Sequence, residues 1–165
     1  MLVIGFDPGS ALTGFGVVSR QGNRLHHREH GTIRTPAKQH SAQRLQTLFQ
    51  EAEALIARIQ PDAVAIERLF FKQNVTTGIQ VAQARGVLLL AAAQAGCPIG
   101  EFSPTEMKIA VTGYGRADKK QLQEMVRRLL NLPEVPRPDD AADALALAIC
   151  QIQFGATQER LQAEP

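Results

Sequence analysis

Leu2-Val3-Ile4-Gly5-Phe6-Asp7-Pro8-Gly9-Ser10 opens the chain with a short run free of polar side chains that stops at Asp-Pro-Gly. An apolar run of this length closed by a turn signal predicts a buried strand that delivers Asp7 at its C-terminal end. A second stretch, Ala63-Val64-Ala65-Ile66-Glu67, has the same form and also closes on an acid. Neighbouring strands lie about 5 Å apart. If these two pair, their terminal carboxylates become close neighbours.

Between the two lie residues 14–20, with β-branched content, then the turn Gln21-Gly22-Asn23 and a further run from Leu25 to Ile33. Three strands in succession predict an antiparallel meander. From Ser41 to Ile59, Leu45, Leu48, Phe49, Ala52, Leu55, Ile56 and Ile59 recur at spacings of three and four, with Ser41 read as the N-cap and Pro61 beyond the end. That periodicity predicts an amphipathic helix, and a helix joining two strands of one sheet predicts a right-handed crossover. Residues 68–74 read as a loop and 76–95 as a helix apolar on nearly all sides, hence expected to be buried on more than one side. A strand at 97–102, a helix at 104–111, a Gly-containing loop at 112–116 and a charged helix at 118–130 follow. Pro133, Pro136 and Pro138 delay the last helix until Asp139 or Asp140, from where it runs to about Phe154. Residues 1–154 form one expected domain, and 155–165 are expected to be a frayed tail.

Composition narrows the class. The chain has 165 residues, 44% hydrophobic and 21% charged, with net charge +2, values of a single compact globular domain. Its longest apolar runs, Val87–Ala93 and Ala144–Cys150, are seven residues each, far below the roughly 20 of a membrane-spanning helix. With no secretion signal at its start, the chain is expected to be cytoplasmic. Cys97 and Cys150 are too few for a disulfide framework and are expected in the core. His26, His27 and His30 in H-H-R-E-H offer no zinc spacing that a regular strand brings to one side, and a solvated strand surface is expected. No P-loop is present.

Charge is unevenly spread. Arg68, Lys72 and Arg85 occur within residues 68–86 without an acid, and residues 108–128 hold six bases against Asp118 and Glu124. These stretches are candidates to face a polyanion. Asp140 and Asp143 share a helical face at i,i+3, as Asp139 and Asp143 do at i,i+4. If that helix crosses the two strand ends, it brings its acids to Asp7 and Glu67. Carboxylates so crowded repel unless a cation neutralises them, and hard oxygen donors suit Mg²⁺ or Mn²⁺. Two such ions are the known device for water attack on a phosphodiester. Each acid also has a plainer explanation as a local cap or a solvated group; Asp143, among alanines on an apolar helix, fits that explanation worst.

Six motifs carry a family resemblance: G-F-D-P-G-S-A-L-T-G-F-G-V-V at 5–18, A-I-E-R-L-F-F-K-Q-N at 65–74, V-A-Q-A-R-G-V at 81–87, F-S-P-T-E-M-K at 102–108, V-T-G-Y-G-R-A-D-K-K-Q-L at 111–122 and D-D-A-A-D-A-L-A-L-A at 139–148. In order and spacing they resemble the RuvC family of Holliday-junction endonucleases over residues 2–153. The resemblance implies an α/β, ribonuclease-H-like fold: a mixed five-stranded sheet flanked by helices. It implies a homodimer that binds four-way DNA junctions, nicks two strands symmetrically in recombination and repair, and works with the branch-migration proteins RuvA and RuvB. Asp7, Glu67, Asp140 and Asp143 are then the catalytic, metal-binding acids for Mg²⁺, with Mn²⁺ an alternative and two ions per site. Some relatives carry histidine where this chain has Asp140, and Asp139 is left as a supporting residue or N-cap. The resemblance makes Phe70 a residue that wedges against bases, with Lys72 and Asn74 beside it for phosphate. It sets Lys108 and Lys119 near the acids; Phe71, Arg116 and Lys120 are further DNA-binding candidates. D-P-G-S-x-x-T-G also resembles the phosphate loop of actin-like and sugar kinases, but those need two domains and have no use for the terminal D-x-x-D helix. A junction binder without catalysis has no need of four converging acids. A nuclease for RNA–DNA hybrids differs only in substrate.

Overall fold

The computed structural model describes residues 1–36, 38–69 and 75–163. Five strands, β1 (Leu2–Asp7), β2 (Leu12–Gln21), β3 (Arg24–Arg34), β4 (Ala63–Glu67) and β5 (Ile99–Phe102), form one sheet in the order β3-β2-β1-β4-β5. The meander β1-β2-β3 is antiparallel, and β4 and β5 add in parallel. The helices are α1 (Ser41–Ile59), α2 (Val75–Gln94), α3 (Pro104–Thr112), α4 (Lys119–Leu129) and α5 (Asp139–Ala163).

The alternation of side chains along each strand builds two cores. Ile4, Phe6, Val17, Val64 and Ile66 face α1 and α2. Val3, Val18, Ala63 and Ala65 face the other way, onto a layer built from α3, α4 and above all α5. Asp7 continues the series 3, 5, 7 and Glu67 the series 63, 65, 67, so parity turns both acids toward α5. With Phe6 opposite Ile66 in the parallel ladder, the two acids come next in line at the same edge of the sheet.

α5 lies unusually close to the sheet. A Cβ added at Gly5 would collide with the Ala144 carbonyl oxygen, at Gly14 with the Asp140 carbonyl group, and at Gly16 would stand 2.6 Å from the Leu145 nitrogen. Ala141, Ala144 and Ala148 are wholly buried in the same layer. Close approach thus needs small residues on both partners, the alanines of the helix and the glycines of β1 and β2.

Several boundaries differ from expectation. His40, not Ser41, caps α1, its Nδ1 accepting from the Ala42 N–H at 3.3 Å. β5 starts at Ile99 rather than residue 97, because Pro98 has no N–H to donate and only its carbonyl pairs, with the Val64 N–H at 2.9 Å. α5 continues to Ala163 instead of closing near Phe154; a single Gly155 weakens a helix without ending it. α2 buries one side, through Ala84, Leu88, Ala91 and Ala92, and leaves Ile79 and Leu90 each 51% exposed. Cys150 is buried, its thiol pushed up to about 12 by burial, whereas Cys97 is only half-buried.

A bulge overturns part of one reading. The β2–β3 register shifts between Val17 and Val18, which pair with Glu29 and His27 and leave Arg28 as the extra residue. The extra residue puts His27 and His30 on the same face, where their Nε2 and Nδ1 stand 2.8 Å apart. They are half-buried and burial holds both below the usual histidine range. The solvated surface expected for this segment holds at His26 and Arg28, whereas His27 and His30 form a half-buried pair.

Candidate active site

Four elements meet at the C-terminal edge of β1 and β4. Asp7 and Glu67 come from the strand ends, Asp140 and Asp143 from the first turns of α5, and Lys119 from the first turn of α4. Lys119 is held there by the capping box on Asp118, whose carboxylate accepts from the Gln121 N–H at 2.9 Å while Gln121 Oε1 accepts from the Asp118 N–H at 2.9 Å.

The electrostatics show that the acids feel one another. Asp7 is raised to about 8, chiefly by burial and then by Glu67, Asp143 and Asp140, with Lys119 opposing. Glu67 is raised by burial and by Asp143, against a hydrogen bond with Asp7 that lowers it. Asp143 is raised by burial, with Lys119 again opposing. A carboxyl held near 8 is mostly protonated at neutral pH, so the Asp7–Glu67 pair holds one proton between them.

Lys119 supplies the countercharge. Its Nζ lies 3.1 Å from Asp139 and 3.7 Å from Asp143. Asp139 also accepts from Gln123 Nε2 at 3.0 Å and is lowered by these two partners. Asp139 is thus the lysine's partner at the rim of the site and not an N-cap, since it stands inside the first turn of α5.

Among the described residues no group of three or more His, Cys, Asp or Glu closes on a common point as the side chains stand. The donor set still fits a hard divalent cation: all-oxygen, acidic, largely buried and short of positive charge, with a shared proton and a single lysine in the cation's place. Asp7, Glu67, Asp140 and Asp143 are the residues that would hold it.

Other sequence candidates separate. Lys108 is half-buried on α3, and Arg116 and Lys120 are exposed; among the described residues Lys119, not Lys108, is the lysine paired with the α5 acids. Phe70, Phe71, Lys72 and Asn74 lie outside the described residues. Arg85, read as facing a polyanion, turns inward: its Nε donates to the Glu67 carbonyl at 2.9 Å and it pairs with Glu101. It therefore anchors the strand end that carries Glu67. Its one sequence signal is an arginine in an otherwise apolar helix. Arg68 likewise pairs with Glu106 at 3.8 Å. Arg127 and Arg128 both bind Glu124 on their own helix.

A cavity of about 810 Å³, lined by Arg24, His27, Leu130 and Ile152 among others, lies toward the opposite end of the sheet, by the β2–β3 turn, and contains none of the four acids.

A mixed sheet in the order 3-2-1-4-5, with acids from the ends of β1 and β4 and from a helix crossing them, defines a nuclease of the ribonuclease-H-like class. The family model described as "Crossover junction endodeoxyribonuclease RuvC" matches residues 3–151. Crossover junction endodeoxyribonuclease RuvC of Heliobacterium modesticaldum is 56% identical over 150 residues, 91% of this chain and 93% of that protein. The Thermus thermophilus RuvC structure superposes with a TM-score of 0.88 at 32% identity, covering 96% of this chain and 97% of that one. T. thermophilus RuvC in complex with Holliday junction substrate gives 0.91 at 33% identity over 96% of both. The chain belongs to the RuvC family of crossover junction endodeoxyribonucleases.

Proposed function

We propose that the chain resolves four-way DNA junctions by paired, symmetric nicks, using Mg²⁺, or Mn²⁺ as the alternative, at the Asp7–Glu67–Asp140–Asp143 cluster. The observation that carries this is a set of acids brought together from three elements, where burial first and the neighbouring carboxylates second hold Asp7 near pH 8. Two bound cations would neutralise the carboxylates and lower the pKa of the attacking water. The acids fix where that charge sits, and burial keeps competing water away from it. In-line attack of water on the scissile phosphorus breaks the P–O3′ bond and leaves 5′-phosphate and 3′-hydroxyl ends. Lys119, already within reach of Asp143, carries positive charge to the developing phosphorane. Phe70 and Phe71, with Lys72 and Asn74, are assigned by resemblance to opening and holding the junction; Lys108, Arg116 and Lys120 are assigned to its phosphates.

A junction with two scissile strands calls for two sites, and the homodimer belongs to this proposal. The exposed apolar face of α2, with Ile79 and Leu90 opposite its buried side, is the surface offered for pairing. RuvA and RuvB are the proposed branch-migration partners and the cytoplasm the proposed location. No helix among the described residues is long and apolar enough to cross a membrane.

The test is cleavage of a synthetic mobile junction, a linear duplex and an RNA–DNA hybrid in Mg²⁺, Mn²⁺ or EDTA, resolved strand by strand. Paired nicks on the junction alone, lost in EDTA, are expected; cleavage of the hybrid in preference to the junction would refute the assignment. Leu90→Glu should convert the dimer to monomer by light scattering, since a charge buried in an apolar interface is costly. An unchanged mass would exclude α2 as the interface. Lys119→Met is expected to lower the single-turnover rate at saturating junction about hundredfold. A rate within about twofold of wild type would remove Lys119 from the reaction.

A further inference from the structure

On the opposite face of the sheet from α5, but at the same edge as the acids, the turn after β1 meets the first turns of α1 and the N-terminal half of α2. The three enclose a cavity of about 40 Å³ lined by Ser10, Thr35, Ser41, Arg44, Gln80 and Gln83 over an apolar floor that includes Leu48 and Ala84. Among the described residues no acidic side chain lines it, and the first turn of α1 contains none. Arg44 Nε is sealed from solvent without a hydrogen-bond partner, the one such side-chain atom among the described residues. A buried donor left unpaired costs about 1–3 kcal/mol, and buried polar groups in native proteins are nearly always satisfied. A site of hydroxyl and amide groups around an arginine whose donors outnumber its acceptors is built for an anion.

The anion's identity follows from position. Ser10 is three residues beyond Asp7 on the turn that leaves the catalytic edge, at most about 11 Å along the chain, so a DNA strand whose scissile phosphate lies at the acids can bring a neighbouring phosphate to this turn. We propose that Arg44, with Ser10, Ser41, Gln80 and Gln83 around it, forms a subsite for a backbone phosphate flanking the scissile one. Entry of that phosphate gives the guanidinium the acceptor it lacks, by a small turn of the side chain toward the cavity. The subsite is separate from the Lys119 side of the cluster, so the strand is held on both faces of the sheet edge, which fixes the scissile phosphate between two grips.

This inference rests on the junction-nuclease reading, and the experiment separates the two. Binding of a labelled junction is measured in EDTA across a salt series for wild type and Arg44→Ala. The variant is expected to bind about tenfold more weakly, with the slope of log affinity against log salt reduced by about 0.9, the loss of one phosphate contact. Single methylphosphonate linkages are then placed at each position flanking the cut. One neutral linkage should weaken wild type and cost Arg44→Ala nothing, the signature of a coupled pair. If wild type neither binds nor nicks the junction, the functional reading fails. If it does both while Arg44→Ala keeps its affinity, salt slope and methylphosphonate profile, the subsite is wrong, and a lowered Tm alone would make Arg44 an internal structural residue. Should Arg44→Ala not fold, the same scan on wild type and Arg44→Lys decides: a position that costs wild type more than the lysine variant supports the subsite, and equal costs throughout overturn it.

Discussion

Asp7→Asn is expected to lower junction cleavage by at least about 10³-fold and, in the same protein, to raise the stability of the metal-free fold at pH 8. The first effect follows from the position of Asp7 at the centre of the acid cluster, since removing a group that holds the catalytic charge costs several kcal/mol of transition-state stabilisation. The second follows from linkage. The carboxyl of Asp7 stands at about 8 against an ordinary 3.8, raised by burial and by Glu67, Asp143 and Asp140. Between those values the folded protein holds a proton that the unfolded chain releases, so stability is full near pH 4 and declines as the pH rises toward 8. Asparagine has no charge to bury and escapes that decline. A gain of at least about 2 kcal/mol at pH 8 corresponds to roughly 4–8 °C in Tm for a chain of this size. Melting in EDTA at pH 5.5 and 8.5 checks it: wild type should lose stability between the two, and the variant should lose less. Added Mg²⁺ should stabilise wild type more than the variant, because a ligand stabilises only the state that binds it. Equal pH dependence of the two proteins would mean that Asp7 carries no buried charge.

Three of the acids were legible in the sequence from their local setting, and Asp140 from its i,i+3 spacing to Asp143. A carboxylate that ends a buried strand before Asp-Pro-Gly or Glu-Arg needs a reason, and Asp143 among alanines needs one more urgently. The meander, the crossover helix and the capped helices follow from periodicity and punctuation, and the strands and helices stand close to where those signals put them. What periodicity does not carry is contact between distant segments. The inward turn of Arg85 onto the Glu67 carbonyl needs Glu101 on β5 to receive it, and nothing local announces that pairing. Lys119 and Asp139 are twenty residues apart on two helices, and only the packing of α4 beside α5 brings them within 3.1 Å. His27 and His30 fall on opposite sides of a regular strand, and the bulge that unites them has no residue signature in H-H-R-E-H. His40 displaces Ser41 as a cap because an imidazole nitrogen one residue earlier reaches the same free N–H groups.

Gly14→Ala is expected to be among the most damaging single substitutions outside the acids, and its cause was hidden in the sequence, where a glycine inside a strand reads as a mere weakness. The methyl group would enter the Asp140 carbonyl group and stand 2.9 Å from the Ala141 nitrogen. Both are backbone atoms, so no rotamer change relieves the overlap; the N-terminal turn of α5 has to move away from β2, or the strand has to bend. Either response displaces Asp140 and Asp143 relative to Asp7. Overpacking of this kind costs about 3 kcal/mol, and a misplacement of about 1 Å at reacting groups costs roughly 10²-fold in rate. The substitution should therefore damage cleavage beyond what the loss of folded protein explains. That is measured as the single-turnover rate per folded molecule, at a temperature where circular dichroism shows the variant native. Gly16→Ala, one step further along the same face against Leu145, should cost comparable stability with a smaller loss of rate, because the part of α5 it presses lies beyond the acids. If Gly14→Ala melted within 2 °C of wild type, on the order of 1 kcal/mol, and cleaved at full rate, α5 would not lie on β2 as closely as these contacts require. The catalytic helix would then owe its position to Lys119 and α4 alone.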